Sequence, residues 1–236
     1  RMYKKYNEKS LAFRISVYSE NQKKILINSK IAVKKQIYVN GCPRSDYAFG
    51  LRKIKPKKNI IVYYLLEKRR GSNLILSKVN INWTKLYYQT LNYLIEFAKN
   101  NKNIKIILKG KIGVHKKEHF DFNALPKNIC FIEGRTGEKL LKDATVVIAF
   151  NSMTVFETIA SNRNLIIPNF NNENKKRKRM MLKLSNTEHF INSKNQFFKK
   201  LNFYLNSRYL NKKLSDKDKQ TLKYYLGVTN GNSGKK

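Results

Sequence analysis

Buried strands and amphipathic helices alternate along most of the chain. Segment 59–66 (NIIVYYLL) is an unbroken apolar, β-branched run, which is typical of a parallel strand covered on both faces. Apolar residues recur at helical spacing over 81–101 and predict an amphipathic helix. Further strands are predicted at 103–110, 128–134, 145–150 and 164–170. With short helices after 134 and 150, this order predicts an α/β fold, a doubly wound parallel sheet with flanking helices.

The two ends of the chain extend this pattern. Residues 11–33 are interpreted as one or two amphipathic helices, followed by a short strand at 37–40. After the fifth strand of the series, residues 188–207 predict a short strand and a helix, and 214–227 predict a terminal helix. No internal repeat of useful period is present.

Charge is the most unusual feature of the composition. The 236 residues include 50 Lys and Arg against 15 Asp and Glu, a formal net charge of +35. Such an excess suggests nucleic acid or an anionic membrane as a partner, whereas the codon bias of an AT-rich genome gives the same excess. The lysines are scattered over every segment, and only 175–179 (KKRKR) is a concentrated basic run. We therefore do not expect a nucleic-acid partner.

The sequence offers no membrane span, signal peptide or metal motif. No stretch reaches the roughly 18 apolar residues of a transmembrane helix, so we expect a cytoplasmic protein. Cys42 and Cys130 lie far apart and match no metal-ligand spacing. His115, His119 and His189 have no carboxylate or cysteine at ligand spacing. We expect no bound metal.

The strongest candidate site follows the fourth strand of the sheet, because ligands of doubly wound sheets bind beyond the carboxyl ends of the strands. Asn151 and Ser152 turn the chain there, and Met153 and Thr154 begin a helix with Ser152 as its N-cap. Unpaired amides and the positive end of the helix dipole suit a phosphate. Glu157, about one turn into the helix, could accept hydrogen bonds from ribose hydroxyls or orient the turn. The alternative is an ordinary capped helix with a solvated Glu157.

A second candidate is the turn 41–46 (GCPRSD). Gly41 and Pro43 force a turn, and the guanidinium of Arg44 offers a forked donor to phosphate or carboxylate. The alternative is a rigid interdomain turn with an ion pair between Arg44 and Asp46.

Two further strand ends carry charged residues beside a glycine. Lys109 and Lys111 bracket Gly110 in LKGK, and could meet a phosphate as point charges. In the third strand end, Glu133 and Arg135 flank Gly134, where a base or sugar could approach the backbone. Each lysine alone is a weak signal in a chain this rich in lysine.

These segments together resemble a known family. VNGCPRSD, ILKGK, NICFIEG, TVVIAFNSMTVFETIASNRNLIIPNF and the closing YYLGVTNGNSGKK are similar to the C-terminal half of GT-B glycosyltransferases of bacterial surface carbohydrate biosynthesis. The resemblance implies two Rossmann-like domains that face each other across a cleft, with the donor nucleotide held by the C-terminal one. It implies that Asn151, Ser152 and Thr154 hold the donor phosphate and that Glu157 lies near the ribose. The loops at Lys109 and at 133–135 would then line the nucleotide pocket.

The resemblance also implies partners and a division of the chain. Residues 1–36 would be a helical remnant of a preceding domain, 37–210 the Rossmann-like nucleotide-sugar-binding domain, and 211–236 a C-terminal helix and tail. The partners would be a nucleotide-sugar donor, a lipid-linked or polysaccharide acceptor, an N-terminal domain, and the anionic inner membrane as a peripheral contact. No metal or other cofactor is implied, because helix dipole and basic side chains neutralise the leaving nucleotide. LKGK departs from the Lys-x-His-Pro loop of related transferases that use CMP-linked acidic sugars, which leaves the nucleotide open.

Two other function classes fit parts of the sequence. A nucleotide-sugar epimerase shares the architecture but needs several acidic and histidine residues in its cleft, and few are present. A basic RNA-binding protein fits the charge, but the sequence contains no signature of an RNA-binding module. Its aromatic residues lie mostly at buried helical or strand spacing and are not interleaved with lysines on one face. The sequence therefore favours a glycosyltransferase that builds surface polysaccharide such as capsule, O-antigen or lipopolysaccharide.

Overall fold

The computed structural model describes residues 12–66, 83–115, 121, 124–134, 136–150, 152–170, 184–206 and 214–233. The basic run 175–179 lies outside these residues. The strands are β1 (Ile15–Val17), β2 (Ile37–Val39), β3 (Ile60–Tyr64), β4 (Lys105–Lys109), β5 (Ile129–Ile132), β6 (Val146–Ile148), β7 (Asn164–Pro168) and β8 (Phe190–Ile191). The α-helices are α1 (Glu20–Asn28), α2 (Asp46–Gly50), α3 (Trp83–Asn100), α4 (Gly137–Asp143), α5 (Met153–Ala160), α6 (Lys194–Asn206) and α7 (Asp216–Leu226).

The central sheet has six parallel strands in the order β5-β4-β3-β6-β7-β8. Strands β3 and β6 lie side by side in the middle, and the chain winds outward from them in both directions. The apolar residues of β3, β4, β6 and β7 are almost entirely inaccessible to solvent, as the unbroken hydrophobic runs predict for a sheet covered on both faces. The predicted doubly wound α/β fold is confirmed.

The first part of the chain differs from its prediction. Residues 15–17 form a strand, not a helix, and this strand pairs in parallel with β2 in a separate two-stranded sheet. Ile15 and Val17 pack toward α1 whereas Ser16 is exposed, a period-two pattern that is too short to distinguish from helical spacing in the sequence. Helix α1 begins only after Ser19, whose hydroxyl caps it by accepting from the Gln22 amide. The divisions of the chain at 36 and 210 stay predictions.

The side chain of Asn128 fastens the end of α3 to the sheet. Its Nδ2 lies within hydrogen-bond distance of three carbonyl oxygens, those of Ala98 (3.2 Å), Asn101 (3.0 Å) and Ile104 (2.9 Å). The last carbonyls of a helix have no partner within the helix, so this amide stabilises the turn into β4.

We expect Asn128→Ala to lower the free energy of unfolding by about 1–3 kcal/mol, because half-buried carbonyls lose their donor. Denaturant titration of the variant and of Asn103→Ala, which removes an exposed amide nearby, measures the effect. Equal stability of the two variants would contradict the role of Asn128.

Candidate functional site

An open cavity lies at the carboxyl ends of the parallel strands. It has a volume of about 720 Å³ and spans the ends of β3, β4 and β6 and the start of α5. This is the point where the chain leaves the middle of the sheet in opposite directions, and such switch points leave a crevice for ligands. The lining residues are Arg44, Tyr47, Tyr64, Leu65, Leu66, Lys109, Gly110, Lys111, Ile112, His115, Gly134, Gly137, Glu138, Phe150, Ser152, Met153, Thr154 and Glu157.

Helix α5 starts at one wall of the cavity. Ser152 occupies its N-cap position with extended backbone angles (φ −136°, ψ 166°), as predicted. Its side chain makes no capping hydrogen bond to the helix amides. Ser152, Met153 and Thr154 are half-buried and all line the cavity. The first turn of α5 therefore presents its amide end and its dipole to the cavity without a cap from Ser152.

Glu157 lies on the cavity wall and is only 8% exposed. Desolvation raises the pKa of its carboxyl above the ordinary value, while the charge of Arg44 and the neighbouring Tyr47 hydroxyl act in the opposite direction. The carboxylate of Glu138 adds a smaller rise to this pKa. Arg44 thus reaches the cavity from the 41–46 turn and interacts with Glu157.

A glutamine at position 157 tests this buried charge. Because the folded-state pKa is raised, Glu157 favours folding below its unfolded-state pKa and loses that contribution as pH rises through the folded-state value. We expect Glu157→Gln to gain stability relative to the wild type as pH rises above the ordinary pKa of a glutamate, about 4.3. Denaturation midpoints at several pH values measure the gain. Glu138→Gln, at an exposed position, is the control and is expected to show a smaller trend.

The side chain of Lys109 is turned toward the protein backbone. Its Nζ donates to the carbonyls of Gly110 (2.5 Å) and Gly134 (2.7 Å), and the residue is buried. Desolvation lowers the pKa of its ammonium, whereas the charge of Glu133 raises it. Lys109 therefore ties the loop after β4 to the loop after β5, and both loops line the cavity. Its predicted contact with a donor phosphate stays a prediction.

His115 lines the cavity and has a structural role that the sequence did not indicate. Its Nδ1 accepts from the Lys111 amide (3.2 Å), so Nε2 carries the hydrogen and donates to the Leu66 carbonyl (3.0 Å). The ring is 3% exposed and stacks on Tyr87 with 6.5 Å between ring centroids. These contacts hold the loop after β4 against the end of β3.

Gly110 in the same loop has no room for a side chain. A Cβ at this position would lie 2.6 Å from Cζ of Phe131 and 3.1 Å from Cβ of His115. Gly134 is different, since its φ of +107° favours glycine and the space beside it is open. Glycine is thus required at the two strand ends for different reasons, close packing at one and backbone angle at the other.

The structure brings together most of the residues that the sequence singled out. Arg44, Lys109, Gly134, Ser152, Met153, Thr154 and Glu157 all line the one cavity. Glu133 is exposed beside it, and its carboxylate accepts from the Gly113 amide at 3.3 Å. Asn151 and Arg135 lie outside the described residues. Their binding roles, like those of the other candidates, stay predictions.

Sequence reasoning missed two tyrosines of the wall. The Tyr64 hydroxyl donates to the Gly137 carbonyl at 2.7 Å and fixes the start of α4. Desolvation, followed by the charge of Glu157, raises the pKa of Tyr47 far above its ordinary value. Tyr64 stands at the end of a predicted strand, which is a signal for a cavity position. Tyr47 carries no signal of this kind, because only the packing of α2 on α5 turns it toward Glu157.

The described residues contain neither a cluster of metal ligands nor a membrane-spanning helix. No group of three or more His, Cys, Asp or Glu in this part of the chain is arranged to hold a metal ion. Within the same ranges, every helix is too short or too polar to cross a bilayer.

Several solved structures are similar to this chain, whereas no protein-family model and no curated protein sequence matches it. A variant of the wall teichoic acid polymerase TagF is 13% identical with a TM-score of 0.58, over 94% of this chain and 56% of that one. The same variant soaked with CDPG is 14% identical with a TM-score of 0.55, over the same shares. The UDP-GlcNAc 2-epimerase from Methanocaldococcus jannaschii is 16% identical with a TM-score of 0.52, over 94% of this chain and 60% of that one.

At these identities the likeness shows the fold and not the activity. The chain spans little more than half of the length of the TagF and epimerase structures that it matches. Residues 12–233, in their described parts, therefore have an α/β, Rossmann-like architecture similar to part of the TagF and epimerase structures.

Proposed function

We propose that this chain is the donor-binding part of a glycosyltransferase that transfers a sugar from a nucleotide-sugar to a growing surface polysaccharide, such as capsule, O-antigen or lipopolysaccharide. The observation that carries the proposal is the cavity at the switch point of the sheet, with the uncapped first turn of α5 on its wall. Charge, shape and position of this cavity all suit a phosphorylated ligand.

The donor phosphates would lie at the start of α5. Amides of Ser152, Met153 and Thr154 would donate to them, and the exposed guanidinium of Arg44 would add a forked, charge-assisted donor. Asn151 is expected to contribute at the same turn. As the bond between the sugar and the donor phosphate breaks, negative charge builds up on the leaving nucleotide, and fixed dipoles and a cation stabilise it without a metal ion.

The nucleoside would extend toward the loops after β4 and β5. The carboxylate of Glu157 suits ribose hydroxyls, which donate hydrogen bonds to it and compensate for its burial. The backbone around Gly134, kept open by the absence of a side chain, suits the edge of a base. Lys109 would contribute to ligand binding indirectly, because it holds these two loops together.

The acceptor and its surroundings are also part of the proposal. A second Rossmann-like domain would hold a lipid-linked or polysaccharide acceptor, which agrees with the chain's covering 56% of TagF. A net charge of +35 suits peripheral attachment to the anionic inner leaflet, where lipid-linked acceptors are found.

A second candidate is a nucleotide-sugar epimerase, favoured by the likeness to the epimerase from Methanocaldococcus jannaschii. Against it stands the use of His115, a histidine of the cavity lining, in backbone hydrogen bonds at both ring nitrogens. Turnover of a free UDP-sugar without any acceptor would favour the epimerase.

The decisive experiment is a calorimetric titration of this chain with UDP-, GDP-, dTDP- and CMP-sugars. CDP-glycerol belongs in the panel because TagF has been soaked with CDPG. We expect one nucleotide class to bind, and we expect Arg44→Ala to weaken that binding about tenfold through the loss of one charged donor. Failure of every compound to bind would contradict the proposal.

A further inference from the structure

The C-terminal tail, residues 227–233, packs against the turn that carries Arg44 and Tyr47 to the cavity. We infer that this tail is a positioning element of the candidate site, which sets the distance of Arg44 and Tyr47 from Glu157 and from the start of α5. The contacts of the tail are independent of any function, and only the expected effect on nucleotide binding rests on the proposed function.

The first contact joins the tail to the beginning of the turn. Gly41 has a φ of +78°, and a Cβ there would lie 2.5 Å from Oγ of Ser233 and 2.9 Å from Cγ1 of Val228. Ser233 and Val228 are both buried. The side chains of Ser233 and Val228 therefore pack against the backbone of Gly41 with no space for an added methyl group.

The second contact joins the tail to helix α2. Gly231 has a φ of +75°, and a Cβ there would lie 2.6 Å from Cβ of Phe49 and 3.2 Å from the carbonyl oxygen of Asp46. Tyr47 lies between these two residues in the sequence, and its side chain lines the cavity together with Glu157. A shift of the tail at Gly231 thus acts directly on the short helix that carries Tyr47.

The third contact joins the tail and helix α2 to α5. Arg52 donates through Nε to the carbonyl of Ala160 (2.6 Å), the last residue of α5, and through Nη1 to the carbonyl of Thr229 (3.3 Å). Its guanidinium also lies 4.7 Å from the ring centroid of Phe49. Tail, turn and α5 are therefore linked through one side chain.

Together these contacts allow the tail to set the position of one wall of the cavity. Arg44 comes from the turn and Tyr47 from α2, whereas Ser152 is the N-cap of α5 and Glu157 lies within that helix. Their separation depends on how the turn lies against α5, and the tail packs on the turn on one side and bonds to Arg52 on the other. No residue of the tail lines the cavity itself.

Gly231→Ala tests the inference in the full chain. The added methyl group must displace Phe49 or the Asp46 carbonyl, so we expect the dissociation constants of UDP and CDP to rise about tenfold. In an Arg44→Ala background the same change should add less than about twofold, because the misplaced group is already absent. Val228→Ala, which removes a contact with Gly41 without backbone strain, is the milder second variant.

Asn128→Ala is the matched control for stability. It is expected to destabilise the fold at the end of α3 without touching the turn or the tail. Equal loss of nucleotide affinity in Asn128→Ala and Gly231→Ala would overturn the inference, since a general loss of stability would then explain both. Unchanged affinity in Gly231→Ala and Val228→Ala would overturn it as well.

A thiol probe reads the position of the turn without any nucleotide. Cys42 follows Gly41 and is 1% exposed, and Cys130→Ser removes the other cysteine. We expect a maleimide to label Cys42 about tenfold faster in Gly231→Ala than in the parent protein, through more frequent local opening. Faster labelling with no nucleotide bound by the parent would support the tail contacts and contradict the proposed function. An unchanged labelling rate would contradict the tail contacts.

Discussion

Ser152→Tyr is expected to lower the affinity for the donor nucleotide about a hundredfold, which corresponds to about 2.7 kcal/mol of binding free energy. Ser152 stands at the start of α5 on the cavity wall, and the phosphate is proposed to lie against the amides that follow it. A phenol ring at this position fills the space in front of those amides. Calorimetric titration with the nucleotide that binds the wild type measures the loss.

Ser152→Ala is the matched control. Because the serine hydroxyl makes no capping hydrogen bond, its removal is expected to cost less than the roughly 1 kcal/mol typical of an N-cap residue. Nucleotide affinity should stay within about threefold of the wild type. A tyrosine variant that binds as tightly as the alanine variant would show that the ligand does not use the start of α5.

Arg163 is a buried cation surrounded by carbonyl groups. It is 4% exposed, and its guanidinium donates to the carbonyls of Leu141 (3.3 Å), Ser161 (3.3 Å), Ile54 (2.9 Å) and Lys142 (3.0 Å). The carbonyls of Leu141 and Lys142 belong to the last turn of α4, and that of Ser161 belongs to the C-cap residue of α5, where the helix dipoles are negative. The forked guanidinium therefore joins the ends of two helices that begin at the cavity.

Arg163→Met is expected to lower the free energy of unfolding by about 3 kcal/mol or more, because several buried carbonyls lose their donor at once. Arg163→Lys should recover only part of this loss, since one ammonium cannot reach carbonyls in so many directions. Thermal or denaturant unfolding measures both variants.

An exposed arginine provides the comparison for this prediction. Arg14 stacks against Phe13 and Tyr38 on the surface, and Arg14→Met is expected to change stability by less than about 0.5 kcal/mol. Similar losses at Arg14 and Arg163 would show that the buried hydrogen bonds contribute little.

The central sheet was predictable because its signals are local. Runs such as 60–64 and 146–148 are apolar throughout, and a strand covered on both faces requires such a run whatever its neighbours are. The order of strands and helices then limits the topology through short, right-handed connections. The strand at 15–17 escaped prediction because three residues are too few to show a period, and its partner β2 lies some twenty residues further along the chain.

The positions of the side chains in the candidate site could be predicted only in part from local sequence signals. Ser152 and Glu157 belong to one strand end and one helix, so their relative position follows from sequence spacing alone. The direction of a side chain with several rotatable bonds does not follow from sequence spacing. Lys109 illustrates this, because its Nζ donates hydrogen bonds to two backbone carbonyls.

The sequence by itself determined the sheet, its doubly wound order and the strand ends at which a ligand would bind, because these depend on hydrophobic period and short connections. Tertiary structure alone decided that Tyr47 lies beside Glu157, that His115 holds a loop of the cavity, and that the tail packs on the turn at Gly41. These contacts join residues between 49 and 192 positions apart, and no local pattern encodes which distant surfaces meet when the chain packs. The strand ends that form the candidate site therefore follow from the sequence, whereas the contacts between its side chains follow from tertiary packing.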